Sequence, residues 1–167
     1  MTDNEFELTH QNKYLEFWYR ADNHYFRLVQ KTGGVVIVPI HDQSILLLKH
    51  YRSTLDRTLW ELPRGFCENG ESSTDAARRE LSEETQLVAD QVTVLGKTHA
   101  DTGVITDNIS VVRATVDDSQ HGQLQTSEGI LDAQWFTPTE IQTMVQQHYI
   151  ADALTFSGLM LNQAISD

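Results

Sequence analysis

The chain has 167 residues, of which 40% are hydrophobic, and this is enough for one domain with a proper apolar core. Its formal charge of −12 argues against an extended nucleic-acid surface, because such surfaces rely on clustered Lys and Arg residues. The start, MTDNEFELTHQ, is polar, and no run approaches about 18 apolar residues, so we expect neither a signal peptide nor a membrane span. The one cysteine of the sequence, Cys67, excludes an internal disulfide and favours a cytoplasmic location.

The first segment with a clear pattern is KYLEFWYRADNHYFRLVQ, residues 13–30. Two aromatic-rich stretches flank the turn-forming residues Ala21-Asp22-Asn23, which predicts a β-hairpin. These rings either pack on a sheet or provide one that stacks on a purine. We assign residues 1–32 to an N-terminal hairpin region and residues 33–167 to the main domain.

Two strands are predicted next. After Gly33-Gly34, the continuous apolar run VVIVPI is typical of a central strand that is buried on both faces. A turn at residues 41–43 leads into SILLLKHYR, which we expect to be a neighbouring strand that ends at Arg52.

The run Thr74 to Thr85 has good helix formers without Gly or Pro, and Ser72 or Ser73 can cap its start. Its small and apolar residues, among them Leu81, would pack on a sheet. Three carboxylates gather on the opposite stripe, those of Glu80, Glu83 and Glu84. Because they repel one another, the stripe either lies in water or collects a hard cation such as Mg²⁺ or Mn²⁺.

The rest of the chain alternates strands, loops and helices. We expect strands at residues 91–97 and 109–116 and one that ends at 136, a mobile polar loop at residues 117–128, and a helix from residue 138 or 139 to 147. A packed terminal helix is predicted from apolar residues at helical spacing: Ile150, Leu154, Leu159, Leu161 and Ile165.

The spacing around the acidic helix resembles the Nudix box, G-x5-E-x7-R-E-U-x-E-E-x-G-U, where U is apolar. The chain has Gly65, Glu71, Arg79-Glu80-Leu81, Glu83-Glu84 and Leu87 at the required positions, and departs only at Gln86, where the family usually has Gly. A Gly there allows a left-handed turn after the helix, so with Gln86 we expect mild strain or a different ending. The resemblance implies an α/β fold, the Nudix α/β/α sandwich with a mixed β-sheet.

The resemblance also implies a metal site. Its ligands for Mg²⁺, or alternatively Mn²⁺, would be Glu80, Glu83, Glu84 and the backbone carbonyl of Arg64. Glu83 and Glu84 would also be catalytic. Structural roles within the box would fall to Gly65, Glu71 and Arg79, with Arg79 paired to Glu71 or Glu83.

Outside the box, several residues each have two alternative expected roles. Arg52 is either a surface charge or a guanidinium that binds phosphate, and Glu61 either contacts substrate or metal or makes a structural hydrogen bond. In ADP-ribose pyrophosphatases of the Nudix family, a Pro-Gly pair and an acidic residue follow the box; here Thr102-Gly103 and Asp107 take those places, which makes Gly103 a substrate-binding residue. Glu128 is either the general base or an idle loop carboxylate.

The tail of the chain, W-F-T-P-x-E-I from Trp135, also resembles the ADP-ribose pyrophosphatase branch. This resemblance implies Mg²⁺-dependent hydrolysis of ADP-ribose or a related ADP- or sugar-nucleotide to AMP, or another nucleoside monophosphate, plus a sugar phosphate. Alternatives are a Nudix hydrolase of dinucleoside polyphosphates, NADH or nucleoside triphosphates, and a catalytically silent nucleotide sensor. By analogy with that branch we expect a homodimer whose N-terminal strands cross to the partner.

Overall fold

The structure is a computed structural model that describes residues 6–117 and 119–165. Its strands are β1 (Glu7–Gln11), β2 (Leu15–Arg20), β3 (Tyr25–Gln30), β4 (Gly34–His41), β5 (Ser44–Arg52), β6 (Arg57–Glu61), β7 (Arg64–Phe66), β8 (Gln91–Thr98), β9 (Ile105–Thr106), β10 (Ile109–Thr115) and β11 (Ile130–Phe136). Its helices are α1 (Ser73–Thr85), α2 (Pro138–Gln146) and α3 (Ala153–Ala164), and a 3₁₀ turn spans Thr126–Glu128.

The main sheet has the strand order β11-β5-β4-β10-β8, with β6 paired to β5 and β7 paired to β4. It is mixed, because β4 and β10 run parallel whereas the other pairs are antiparallel. Along β4, Val35 and Ile37 pack in one core and Val36 and Val38 in the other. This alternation confirms the predicted central strand and the sandwich, with α1 on one face of the sheet and α3 on the other.

Helix α1 begins at Ser73, one residue before the predicted run, and Ser72 is the cap, since its side chain accepts a hydrogen bond from the Asp75 amide. The acidic stripe is not simply opposite the buried face, however. Leu81 is fully buried, Glu84 is only 3% exposed, and the Glu83 side chain is 50% exposed. At about 100° per residue, Glu84 lies about 60° around the helix from Leu81, and Glu83 about 160°. Glu84 therefore faces the protein and Glu83 faces outward.

The three N-terminal strands and β9 form a second sheet of order β1-β2-β3-β9. Strands β2 and β3 pair antiparallel across the predicted turn, so the hairpin is present. Short strand β9 joins in parallel beside β3, which links this sheet to the loop before β10. Residues 1–5 of the predicted N-terminal region lie outside the described residues.

Helix α3 starts later than the apolar pattern indicated, at Ala153, because the Asp152 carboxylate caps it. It approaches the sheet through small residues. The Thr155 hydroxyl accepts a hydrogen bond from the Leu62 amide at 3.0 Å, and a Cβ on Gly158 would lie 2.4 Å from a Leu62 methyl carbon. Ile165, which we expected to pack, is 50% exposed because it lies beyond the last helical turn. None of the described helices combines the length and apolar character needed to cross a membrane.

Candidate active site

A cavity of about 650 Å³ opens where α1, the ends of β5 and β7, and the N-terminal sheet meet. Its lining is rich in charge. The acidic side chains are Glu68, Glu80, Glu83, Glu84, Asp107 and Glu128, and the basic ones are Arg52, Arg64 and Arg79. Most of the residues predicted for the site are thus brought together.

Glu80 lies against Gly65. A Cβ built on Gly65 would come within 2.0 to 2.3 Å of the three heavy atoms of the Glu80 carboxyl group, so any larger residue would displace that group. The backbone of Gly65 is not in the left-handed region, and the requirement for glycine is therefore one of space. Burial raises the pKa of Glu80, Arg79 opposes the rise, and repulsion from Glu83 and Glu128 adds to it.

Replacing Gly65 by Ala should therefore lower kcat by about 100-fold, because the added methyl group moves the Glu80 carboxylate by an ångström or more. The fold should persist, which circular dichroism and thermal unfolding would show. Gly70→Ala is a useful comparison for backbone effects, because a Cβ there meets nothing within 4 Å although its φ is +80°. Normal turnover in Gly65→Ala would contradict a catalytic role for the Glu80 position.

Glu84 is a deeply buried carboxylate of the cavity, and its Oε2 atom has no hydrogen-bond partner. Burial raises the pKa of this group to about 8, and repulsion from Glu80 and Glu128 adds to the effect. The charged form of a carboxylate that is buried near two other carboxylates is destabilised unless a proton or a cation binds to it. The oxygen donors fit a hard divalent cation.

The carboxylates of the site do not converge on one point, because three of them are hydrogen-bonded to Arg79. Its guanidinium donates to both oxygens of Glu71 at 2.9 Å, to Glu80 at 2.8 Å, to Glu83 at 3.0 Å and to the Phe66 carbonyl at 2.9 Å. It therefore contacts both partners considered from the sequence. Among residues 6–117 and 119–165, no three His, Cys, Asp or Glu side chains are already assembled in a metal-binding arrangement. Glu80 and Glu83 would have to turn from Arg79 toward a cation.

In a second cluster, two arginines are paired with one buried carboxylate. Glu61, whose side chain is 2% exposed, accepts from Arg52 Nε at 3.0 and 3.1 Å and from an Arg52 terminal nitrogen at 2.5 Å. An Arg64 terminal nitrogen lies 3.0 Å from the same carboxylate, and Arg64 also contacts Asp152 at 3.4 Å. Glu61 therefore makes a structural interaction, which orients two partly exposed guanidinium groups in the cavity wall.

Glu128 reaches the cavity from the loop of residues 119–129. His50, only 5% exposed, donates from Nε2 to the Glu128 carbonyl at 2.6 Å, while Gln125 donates to the Glu128 carboxylate at 3.1 Å. Burial lowers the pKa of His50, and nearby Arg52 contributes to the shift. His50 was not predicted as a site residue, although it lies two positions before Arg52 and therefore on the same side of the strand.

Two residues of the loop before β10 lie in different environments, one in the cavity wall and one outside it. Asp107 lines the cavity with a side chain that is 1% exposed, held by His99 at 2.6 Å and the Ala100 amide at 2.9 Å. Gly103 is exposed, lies outside the cavity lining, and accepts a hydrogen bond from the Tyr25 hydroxyl. Substrate binding by Gly103 therefore stays a prediction.

The aromatic wall of the cavity was only partly predicted. Tyr14 is the member of the N-terminal aromatic segments that lines it, and its ring stacks on Phe66 at 4.8 Å with an 11° interplanar angle. Phe66 lies in the box loop, where the spacing marks no aromatic position. Cys67 beside it is buried, and burial raises the pKa of its thiol. This favours an ordinary packed cysteine.

Comparison with known proteins agrees with this geometry. The NUDIX domain matches residues 30–154. The chain is 32% identical over 88 residues to an ADP-ribose pyrophosphatase of Bacillus subtilis, covering 52% of this chain and 48% of that protein. It is 28% identical over 142 residues to an ADP-ribose pyrophosphatase of Mycobacterium tuberculosis, covering 83% of this chain and 69% of that one. The match thus spans about half the length of the first relative.

A solved structure described as an ADP compounds hydrolase has the same fold, with a TM-score of 0.77 at 20% identity over 95% of this chain and 90% of the other. The predicted fold and the predicted resemblance to ADP-ribose pyrophosphatases are both confirmed. Because the NUDIX match covers most of its length, the chain belongs to the NUDIX family.

Proposed function

We propose that this NUDIX protein hydrolyses the pyrophosphate bond of ADP-ribose or a related ADP- or sugar-nucleotide in a reaction that depends on a divalent cation. The products are AMP, or another nucleoside monophosphate, and a sugar phosphate such as ribose 5-phosphate. The observation that carries the proposal is the buried carboxylate of Glu84, with one unpartnered oxygen, in a cavity that also holds Glu80, Glu128 and three arginines.

Mg²⁺ is the cation we assign, with Mn²⁺ as a substitute. Glu80 and Glu84 would be its main ligands, and Glu83 and the Arg64 carbonyl would complete the set. Such a cation would supply charge neutralisation for the pyrophosphate and would lower the pKa of a water molecule at the site.

The protein's own groups supply the rest of the mechanism. Arg52 and Arg64 present guanidinium groups that bind phosphate oxygens, and Glu61 keeps both in place. Glu128, on its loop, accepts the proton of the attacking water. The paired rings of Tyr14 and Phe66 form the wall against which a planar base lies. The volume of about 650 Å³ is within the range of roughly 300–1,000 Å³ typical of small-molecule sites.

The test is phosphate release, coupled to a phosphatase, from ADP-ribose, ADP-glucose, GDP-mannose, NADH, diadenosine polyphosphates and nucleoside triphosphates, with and without Mg²⁺ or Mn²⁺. Metal-dependent cleavage that is fastest on ADP-ribose or an ADP-sugar supports the proposal. Preference for a dinucleoside polyphosphate, NADH or a triphosphate would replace the substrate assignment. Metal and nucleotide binding without turnover would indicate a sensor.

Replacing Glu128 by Ala should lower kcat by about 100-fold with little change in KM, because general bases typically contribute at least that factor. The loop should stay in place, since His50 contacts the backbone carbonyl of Glu128 rather than its side chain. Steady-state kinetics on the preferred substrate would measure both constants. Unchanged kinetics would show that Glu128 is a loop carboxylate without a catalytic role.

We also propose a homodimer formed through the N-terminal sheet. Strand β1 is an edge strand, and Leu8, Tyr25 and Phe26 on this sheet are each more than 40% exposed. An exposed edge with apolar side chains is suited to pairing with another chain. Light scattering after size-exclusion chromatography tests this, and a monomeric mass at micromolar concentration would contradict it.

A further inference from the structure

We propose that Gln86 is a positioning residue, whose side chain fastens the loop of residues 119–129, and with it Glu128, to the end of the helix that carries Glu80 and Glu84. This inference rests on the proposed function, because it gives Gln86 a role in presenting Glu128 to the substrate. Gln86 itself is not among the residues that line the cavity.

The backbone of Gln86 has an unusual conformation. It ends α1 with φ 60° and ψ 14°, in the left-handed region, at the position where the Nudix box usually has Gly. Glycine adopts this conformation more easily than any residue with a Cβ. Backbone geometry alone would therefore favour Gly, and the structure shows what the Gln side chain contributes instead.

That side chain contacts the loop at two neighbouring residues. Its Oε1 atom accepts a hydrogen bond from the Gln123 amide at 3.2 Å. Gly122 lies directly against it, since a Cβ there would be 2.0 Å from Gln86 Oε1 and 2.8 Å from Cδ. Residue 122 thus accommodates the Gln86 side chain only because it is glycine.

Backbone hydrogen bonds continue the same attachment. The Gly122 amide donates to the Thr85 carbonyl at 2.9 Å, and the Gln125 amide donates to the Glu84 carbonyl at 3.2 Å. Both carbonyls belong to the last turn of α1, whose carbonyls lack partners within the helix. The loop is therefore joined to the backbone of Glu84, a proposed metal ligand.

Glu128 follows three residues after Gln125 and is held on its other side by His50 on strand β5. Next to it, the Tyr51 amide of β5 donates to the Gly129 carbonyl at 2.9 Å, so Glu128 lies between attachments at two sides of the loop. One is a buried histidine on a central part of the main sheet, and the other is the exposed end of α1, where Gln86 adds the one side-chain hydrogen bond that the described residues show between α1 and residues 122–125.

Two substitutions separate the hydrogen bond from the rest of the side chain. Gln86→Met keeps the length and removes the acceptor, so we expect kcat to fall about 10-fold with KM nearly unchanged. Gln86→Glu keeps an acceptor for the Gln123 amide and should retain most of the activity. Gln86→Gly should lower kcat as well while leaving the melting temperature equal or higher, because glycine suits the left-handed backbone.

A double-mutant cycle tests the contact with Gly122. Gly122→Ala should lower kcat in the otherwise unchanged protein, because the new methyl group meets the Gln86 side chain. In the Gln86→Gly background the same change should have little further effect, since its opposing side chain is gone. Additive effects of the two substitutions would overturn the inference.

Amide hydrogen exchange of the peptide covering residues 119–129 provides a readout that needs no substrate. Exchange should be faster in Gln86→Met than in the unchanged protein or Gln86→Glu. Unchanged exchange in Gln86→Met would overturn the inference, and so would faster exchange with an unchanged kcat. If the unchanged protein cleaves no nucleotide, the proposed function fails, whereas the exchange measurement still decides whether Gln86 fastens the loop.

Discussion

Replacing Glu84 by Gln should reduce kcat by about 1,000-fold or more and, at the same time, make the metal-free protein more stable at alkaline pH. The activity falls because the substitution removes a metal ligand's charge and changes its size very little. The stability rises because burial of a neutral amide, unlike burial of a charged carboxylate, does not require the removal of a charge from water. A variant with near-normal turnover would refute the ligand assignment.

The pH dependence follows from the pKa of Glu84, which burial raises from an ordinary value of 4.5 to about 8. Between these two values the folded protein holds a proton that the unfolded chain releases. The free energy of unfolding of the metal-free protein therefore decreases as the pH rises from about 5 to 8, by roughly 2 kcal/mol or more. In Glu84→Gln this part of the decrease should be absent, which denaturant unfolding in EDTA at both pH values would show.

Mg²⁺ should reverse this trend, because a cation binds the deprotonated carboxylate and displaces its proton. Calorimetry should show tighter Mg²⁺ binding at pH 8 than at pH 6 in the unchanged protein. Asp42→Asn is a matched control, since it also exchanges a carboxylate for an amide, at a side chain that is 90% exposed and away from the cavity. An equal loss of activity in Asp42→Asn would show that the assay reports a general charge effect.

The second large effect is expected for Glu61→Gln, which should destabilise the fold by about 3 kcal/mol and weaken nucleotide binding. Glu61 is a buried carboxylate that pairs with both Arg52 and Arg64, and removal of one member of a buried ion cluster leaves the others uncompensated. The two guanidinium groups would repel each other and leave their positions in the cavity wall.

Denaturant unfolding would measure the loss of stability, and KM for the preferred substrate should rise more than kcat falls. Arg52→Lys serves as the milder comparison, because it keeps the charge next to Glu61 and loses the bidentate geometry. If Glu61→Gln were as stable as the unchanged protein, the cluster would not organise this wall.

Much of the site could be predicted because its residues belong to one stretch of sequence with fixed spacing. Glu80, Glu84 and Arg79 lie within two turns of a single helix, so local geometry places them together. The central strand was also predictable, since the run from Val35 to Val38 is apolar on both faces and has no other stable environment.

Other features depend on contacts between distant segments. The burial of Glu84 depends on the packing of α1 against β4, β7, β8 and β10. The pairing of Arg52 with Glu61 depends on the β5–β6 register, in which Leu48 lies opposite Glu61. The parallel pairing of β9 with β3 joins residues almost eighty positions apart. No local sequence pattern predicts contacts between residues that lie so far apart in the chain.

The same cavity draws its walls from two parts of the chain. Tyr14, Leu15, Leu28 and Gln30 come from the N-terminal sheet and its border, whereas the arginines and the acidic groups around α1 come from the segments that follow. Under the proposed function, the N-terminal part therefore contributes to the nucleoside wall, which it shares with Phe66, and supplies none of the proposed metal ligands. Exchange of the first thirty residues with those of a relative is therefore expected to change KM among nucleotide substrates more than kcat.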